Sequence, residues 1–265
     1  MLDKVRRLAA ENGATLLLVA LCGSRAFGYA APQSDADVRF VYVYPLSRYF
    51  SLAAPPKELR LKDDDVVGYE LGKFLAMAVH QGWGVLELLH SPLWYEYSPE
   101  LTQALRWLCT AAFSPASAVP SLLSCAKTYS RRLEHLSPDE EQSVDLRVKL
   151  QLGALRMVAA AYYLTAHQSF YPISLHALVQ SVLPSVAEDV ALLAAWRAGS
   201  RPVESAAVEA ALVAVRAVAA STTASLSELP SAASGEDCTE QMETLYMRVV
   251  LGLPGSSVSR NGESA

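Results

Sequence analysis

Two aspartates separated by one residue, Asp35 and Asp37, carry the densest chemical signal in this chain. Asp37 opens the run DVRFVYVYP, whose β-branched and aromatic residues predict a strand, and Asp35 stands two residues before it. Side chains at i and i+2 of a strand share a face, so the two carboxylates would stand side by side. Like charges that close repel unless a cation lies between them. Mg²⁺ suits such a place, because it takes one or two carboxylates and leaves its other positions to water and phosphate oxygens. Upstream, Gly23-Ser24 ends the apolar run TLLLVALCG, and a Gly-Ser turn offers backbone N–H groups and a hydroxyl to a phosphate. A third carboxylate, Asp65, opens a further strand candidate near 65–69 and can complete a two-metal site. Each piece alone has an ordinary explanation: an Asx-turn or helix cap for the DxD, turn chemistry for the GS. In this order along successive strands, they point to metal-dependent handling of a phosphate.

The elements that must position these residues are legible around them. Leu2, Val5 and Leu8 sit at helical spacing, so residues 2–11 predict a short amphipathic helix. TLLLVALCG is a continuous apolar run of strand length and predicts a strand buried on both faces. Helix, strand, loop and strand then alternate over the first seventy or so residues, an α/β or α+β nucleus. Further on, YELGKFLAMAVHQGWGVLELLHSP predicts two helices broken at Gly82–Gly84. Ser98-Pro99 and Ser114-Pro115 each supply an N-cap and a first helical proline. A long helical pattern covers 139–166, and Ala-rich helices follow, the last near 240–251. The expected fold is therefore α+β (α/β): a small mixed-sheet head over 1–100, an all-helical domain over 101–252, and a disordered tail over 253–265.

Composition narrows the function. The chain has 265 residues, 52% hydrophobic, ample for a buried core. Lys and Arg number 22 against 27 Asp and Glu, a net charge of -5, so any nucleic-acid contact is expected to be local. Four cysteines with no CxxC pair and five histidines with no HxxxH spacing exclude the common zinc patterns. The uncharged apolar stretch from Ala14 to Gly23 is shorter than the roughly 20 residues that span a bilayer, so a cytoplasmic protein with no membrane partner is expected. Oligomeric state is not legible.

Basic residues offer themselves as phosphate partners. Arg25 follows the Gly-Ser turn and can reach a phosphate as a bidentate donor or pair with an aspartate of the site. Arg39 continues the DxD strand in register with Asp35 and Asp37, and can either serve a phosphate or neutralise that face. Lys149 and Arg156 lie two turns apart on nearly the same face of the long helix, suited to a triphosphate or to an ordinary charged face. Trp83, Trp94, Tyr95 and Tyr97 can stack a base or pack a core.

The motifs GSRAFGY at Gly23–Tyr29 and SDADVRF at Ser34–Phe40 together resemble the signature of the DNA polymerase β nucleotidyltransferase superfamily. More narrowly, the chain resembles the YcgL-like branch, the RNA repair pathway DNA polymerase β family, RlaP. Later blocks carry the likeness on: DVVGYELGKF from Asp65, VLELLHSP from Val85, FSP from Phe113, Val148-Lys149-Leu150 and Leu155-Arg156. It covers roughly residues 14–175. Gly82-Trp83-Gly84 departs from the family's Asn-Pro pair, Gly72 from a basic residue, and Tyr69-Glu70 from Trp-Asp.

The resemblance implies that Asp35, Asp37 and Asp65 hold two divalent ions, Mg²⁺ or in its place Mn²⁺. It implies that Gly23 and Ser24 grip the β- and γ-phosphates of a nucleoside triphosphate, that Lys73 contacts phosphate, and that Asp65 is the base or third ligand. The expected reaction moves a nucleoside monophosphate to a hydroxyl, an RNA end by the family name, with pyrophosphate leaving. The alternatives are AMP transfer to a protein or small-molecule hydroxyl and a non-catalytic nucleotide sensor. Because Asp63, Asp64 and Asp65 are consecutive, the third ligand stays open between Asp63 and Asp65, which share a strand face.

Overall fold

The computed structural model describes residues 1–61, 64–80, 82–137, 139, 143–200, 202–226 and 235–253. Along the chain, α1 (Leu2–Glu11) is followed by β1 (Thr15–Leu21), a single-turn α2 (Gly23–Phe27), β2 (Val38–Val43) and α3 (Leu46–Tyr49). Then come β3 (Glu58–Leu61), β4 (Val66–Glu70), α4 (Leu71–His80), α5 (Trp83–Leu89), β5 (Leu93–Tyr97) and α6 (Pro99–Ala112). The remainder is helical: α7 (Pro115–Glu134), α8 (Val144–His167), α9 (Leu175–Val182), a 3₁₀ turn, α10 (Ala187–Arg197), α11 (Ser205–Leu226) and α12 (Thr239–Val250). The mixed α+β class and the helical C-terminal region are as the sequence leads one to expect. Residue 63 and the tail from 254 onward lie outside the described residues.

The chain divides into two compact units that do not follow its linear order. The sheet unit comprises Met1–Gly23, Asp35–Phe113 and the stretch from Gly235 onward. Its five strands run in the order β3-β4-β2-β1-β5. β2 and β4 are parallel, and every other neighbouring pair is antiparallel. One sheet face is closed by α1, where Val5 packs with Val19, Leu21, Val38, Phe40 and Tyr42. β1 is buried on both faces from Leu18 to Leu21, which is why its sequence is apolar without alternation.

Two strands and one helix escape the sequence pattern. β3 lies between prolines and an acidic run, and β5 is a five-residue edge strand; the sequence pattern assigns a strand to neither. GSRAF forms one helical turn where a turn alone is expected.

At the far end of β4 the strand passes directly into α4, whose first N–H groups lie against a buried carboxylate. Glu70 Oε2 accepts from the N–H of Gly72 at 2.9 Å and of Lys73 at 3.3 Å, while Oε1 accepts from the Tyr49 hydroxyl at 2.8 Å. Tyr246 of α12 packs edge-on against Tyr49, its ring centroid 6.2 Å away. Glu70→Ala therefore removes a helix cap and takes away the acceptor of the half-buried Tyr49 hydroxyl, which still accepts from the Tyr44 N–H at 3.1 Å. It is expected to lower the unfolding free energy by about 2–3 kcal/mol in urea titration, and Glu70→Gln by less.

The helical unit comprises Ser24–Ser34 and Ser114–Ser234. α8 is its axis, buried almost all round from Val148 to Ala161. Gly153 lets α7 approach closely, since a Cβ there would lie 2.8 Å from the Tyr129 ring. α11 is long and apolar enough to cross a bilayer by length and composition. Its Val208, Leu212, Val215 and Ala219 form a buried stripe.

Candidate active site

Three strand ends meet at one edge of the sheet, and their register decides which side chains meet. Parallel pairing of Val38 with Val66 places the preceding residues, Asp37 and Asp65, beside each other. Antiparallel pairing of Leu21 with Val38 brings Cys22 opposite Asp37, and the Cys22 N–H donates to the Asp37 carbonyl at 2.7 Å. The Val38 N–H donates to the Asp65 carbonyl at 2.9 Å. Asp37 and Asp65 both sit just before their strands begin, not inside them. The strand alternation expected for Asp35 and Asp37 therefore does not apply; cross-strand register does its work, pairing Asp37 with Asp65.

Gly23 completes this corner. Its φ of +65° lies in the left-handed region, and a Cβ built on it would fall 1.6 Å from Asp37 Oδ2. Only glycine lets the Asp37 carboxylate lie against the backbone here.

The two carboxyl groups hydrogen-bond to each other. That bond, reinforced by the Arg39 guanidinium against the opposing effect of burial, holds Asp65 below the usual carboxylate range. Arg39 pairs with Asp65 Oδ1 at 2.7 Å and also donates to the Asp65 carbonyl at 2.9 Å and the Val38 carbonyl at 3.1 Å. Two adjoining carboxyl groups need either a shared proton or a cation between them. Oxygen donors in this number suit Mg²⁺, whose remaining positions would go to water and phosphate oxygens. Among the described residues no group of three His, Cys, Asp or Glu side chains is placed to hold a metal together. Asp35, exposed, stands outside the Asp37–Asp65 pair. Asp64 is taken by Lys4 at 2.7 Å, and Asp63 lies outside the described residues.

The floor of the corner comes from the block VLELLHSP, whose part in it the sequence does not announce. The Ser91 hydroxyl, 2% exposed, donates to the Leu21 carbonyl at 2.6 Å and so fixes the end of β1. Burial pushes the Cys22 thiol up to about 12, with Arg39 opposing and the nearby carboxylates of Glu87, Asp37 and Asp65 adding to it. Cys22 is thus a neutral packing residue at neutral pH.

One expected phosphate ligand lies elsewhere within the sheet unit. Lys73 lies beyond the opposite end of β4 from Asp65, roughly 16 Å along a five-residue strand at about 3.3 Å per residue. Its ammonium pairs with Glu58 at 2.5 Å and lies 5.8 Å from the Tyr69 ring centroid. Lys73 is not brought to the acidic corner.

Ser24, Arg25 and Lys149 belong to the helical unit. Ser24 is buried, and its carbonyl accepts from the Tyr29 N–H at 3.0 Å. Arg25 donates to the carbonyls of Pro32 at 3.3 Å and Ser34 at 2.5 Å, closing its own loop. Lys149 is exposed between buried Val148 and Leu150.

Comparison with known proteins gives the family. The chain is 26% identical over 186 residues to "Uncharacterized protein YcgL" of Bacillus subtilis (strain 168), covering 69% of each chain. A family model described as "RNA repair pathway DNA polymerase beta family" matches residues 1–247. That match takes in the sheet corner and nearly all the described helices, and the chain belongs to this family, RlaP.

Proposed function

We propose that this protein transfers a nucleoside monophosphate from a nucleoside triphosphate to a hydroxyl, with an RNA end as acceptor, releasing pyrophosphate. One observation carries the reading: Gly23, Asp37 and Asp65 converge where three strands end, in a chain of a polymerase β-like family. Asp37 and Asp65 would hold Mg²⁺, which when bound neutralises the triphosphate and acidifies the acceptor hydroxyl. Asp35, two residues before Asp37, would contribute to holding a second ion. The Gly23 N–H and the Ser24 hydroxyl hold the β- and γ-phosphates. Arg39 keeps Asp65 ionised, ready to accept the proton of the attacking hydroxyl. The acceptor oxygen then bonds to the α-phosphorus as its bond to the bridging oxygen breaks, and pyrophosphate leaves in line. No protein nucleophile is needed; positioning and charge neutralisation carry the rate.

A net charge of -5 favours a short acceptor contact over a long nucleic-acid footprint. Incubation with Mg²⁺ and each α-labelled nucleoside triphosphate, with and without total RNA, separates the possibilities. Label on RNA that disappears with Asp35→Ala/Asp37→Ala is the expected result. Label on protein or a small product would move the acceptor to AMP transfer. Nucleotide binding without pyrophosphate release would leave a sensor.

A further inference from the structure

The segment Ser24–Ser34 leaves the sheet unit directly after Gly23 and returns directly before Asp35, two residues ahead of Asp37. The segment belongs to the helical unit. Ala26, Phe27, Tyr29 and Ala31 are all buried. The segment is also closed on itself: besides the Arg25 contacts, the Ala31 N–H donates to Ser34 Oγ at 2.9 Å and the Ser34 N–H to the Ala31 carbonyl at 3.0 Å. A turn bonded in this way moves as one piece.

Two arginines of the helices hold that piece. The Arg156 guanidinium of α8 lies 3.8 Å from the centroid of the Phe27 ring. Arg197, at the end of α10, donates from Nη1 to the Tyr29 carbonyl at 2.8 Å. Its other nitrogens grip Asp145 across both carboxylate oxygens, at 2.7 and 3.2 Å. Arg156 is 4% exposed and Arg197 5%. Burying charge is unfavourable, and well-packed apolar side chains commonly fill such a space with no loss of stability. What the guanidiniums add is direction: a rigid fork of donors fixes a carbonyl, and a cation over a ring fixes its plane.

We propose that Arg156 and Arg197 are positioning residues for triphosphate binding by the turn that starts at Gly23-Ser24. The inference rests on the nucleotidyl-transfer reading above. Neither arginine needs to touch the nucleotide. A turn already held in its binding conformation loses little freedom when phosphate arrives. Released from its clamps, it populates that conformation only part of the time, and apparent affinity falls by that fraction. Once the triphosphate is seated, turnover proceeds nearly as before.

The test uses the full chain with the Mg²⁺ complex of each nucleoside triphosphate, reading Kd by calorimetry, KM and kcat by label transfer, and hydrogen exchange over 24–34. Arg156→Met keeps an unbranched side chain and loses the charge; Phe27→Leu removes the ring and leaves the arginine. Each is expected to raise Kd and KM about tenfold, with kcat within about threefold and faster exchange confined to the segment. The double variant should do no worse than either single one, because both break one contact. Arg156→Lys should recover part of the affinity, and Arg197→Lys, which keeps charge but loses the fork, should resemble Arg156→Met. Wild-type Kd in Arg156→Met and Phe27→Leu alongside faster exchange would overturn the proposal and leave a purely structural clamp. A fall in kcat with unchanged KM would overturn it too. If the wild-type chain itself binds no triphosphate, the transfer reading fails first, an outcome distinct from variants that bind as well as wild type.

Discussion

Gly23→Ala is expected to cut nucleotidyl transfer by at least about a hundredfold, the loss that follows a displacement of about 1 Å at a reacting centre. The added Cβ would fall 1.6 Å from Asp37 Oδ2, 2.4 Å from Cγ and 2.8 Å from Cβ, so rotating the carboxylate alone does not clear it. The end of β1 or the start of β2 must shift, and Asp37 parts from Asp65. A φ of +65° adds about 1–2 kcal/mol of backbone strain for any L side chain. Label transfer measured beside thermal unfolding decides the matter. An alanine variant that is folded and as active as wild type would remove Asp37 from the reaction.

The second large effect concerns Asp37 itself. Asp37→Asn is expected to lower transfer by on the order of a thousandfold, since it discharges half of the pair proposed to face the cation and phosphate. Stability should be little changed in divalent-free buffer, because the Asn amide can donate to the Asp65 carboxylate in place of the Asp37 carboxyl. Mg²⁺ should raise the wild-type melting temperature, by about 2.7 kcal/mol of stabilisation at a hundredfold excess over Kd, and have little effect on the variant. pH adds a control. Asp65 is held below its ordinary value by the Asp37 hydrogen bond and by Arg39. Its contribution to stability is therefore complete above the unfolded carboxylate range, near pH 3.9, and fades only as pH falls through the lower folded value. Between pH 5 and pH 8, a change in Mg²⁺-dependent stabilisation would have to come from some other group.

Much of this was legible in the residues, and the parts that were not have physical reasons. α1 matches its expected bounds because Leu2, Val5 and Leu8 form a stripe that one sheet face covers. Ser98 and Ser114 cap α6 and α7 as local chemistry requires. The acidic corner was legible as a set of residue types but not as a geometry. Asp35 and Asp37 were paired by strand alternation, whereas the parallel register of β2 with β4 pairs Asp37 with Asp65. Register between strands distant in sequence leaves no local trace. Lys73 shows the same limit: proximity in sequence to Asp65 is undone by the length of β4. The roles of Ser91, which stands in the block VLELLHSP, and of Arg197 are not legible because each acts on a backbone carbonyl, of Leu21 and Tyr29, and carbonyls carry no sequence signature.

The interleaving of the two units bears on how the chain can be made. It passes from one unit to the other after Gly23, Ser34, Phe113 and Ser234. The sheet unit is not finished when Phe113 is synthesised, because Tyr246 still has to reach Tyr49, and the backbone of Gly235 and Glu236 still has to settle against Ala111 and Ala112. Nor can the Phe27 segment find its place until Arg156 and Arg197 exist. On a ribosome, the nascent head would therefore wait, with apolar surface open, for most of the chain to emerge. Neither unit can be freed as a fragment by a single cut, and a gene divided at the apparent junction would encode two incomplete halves.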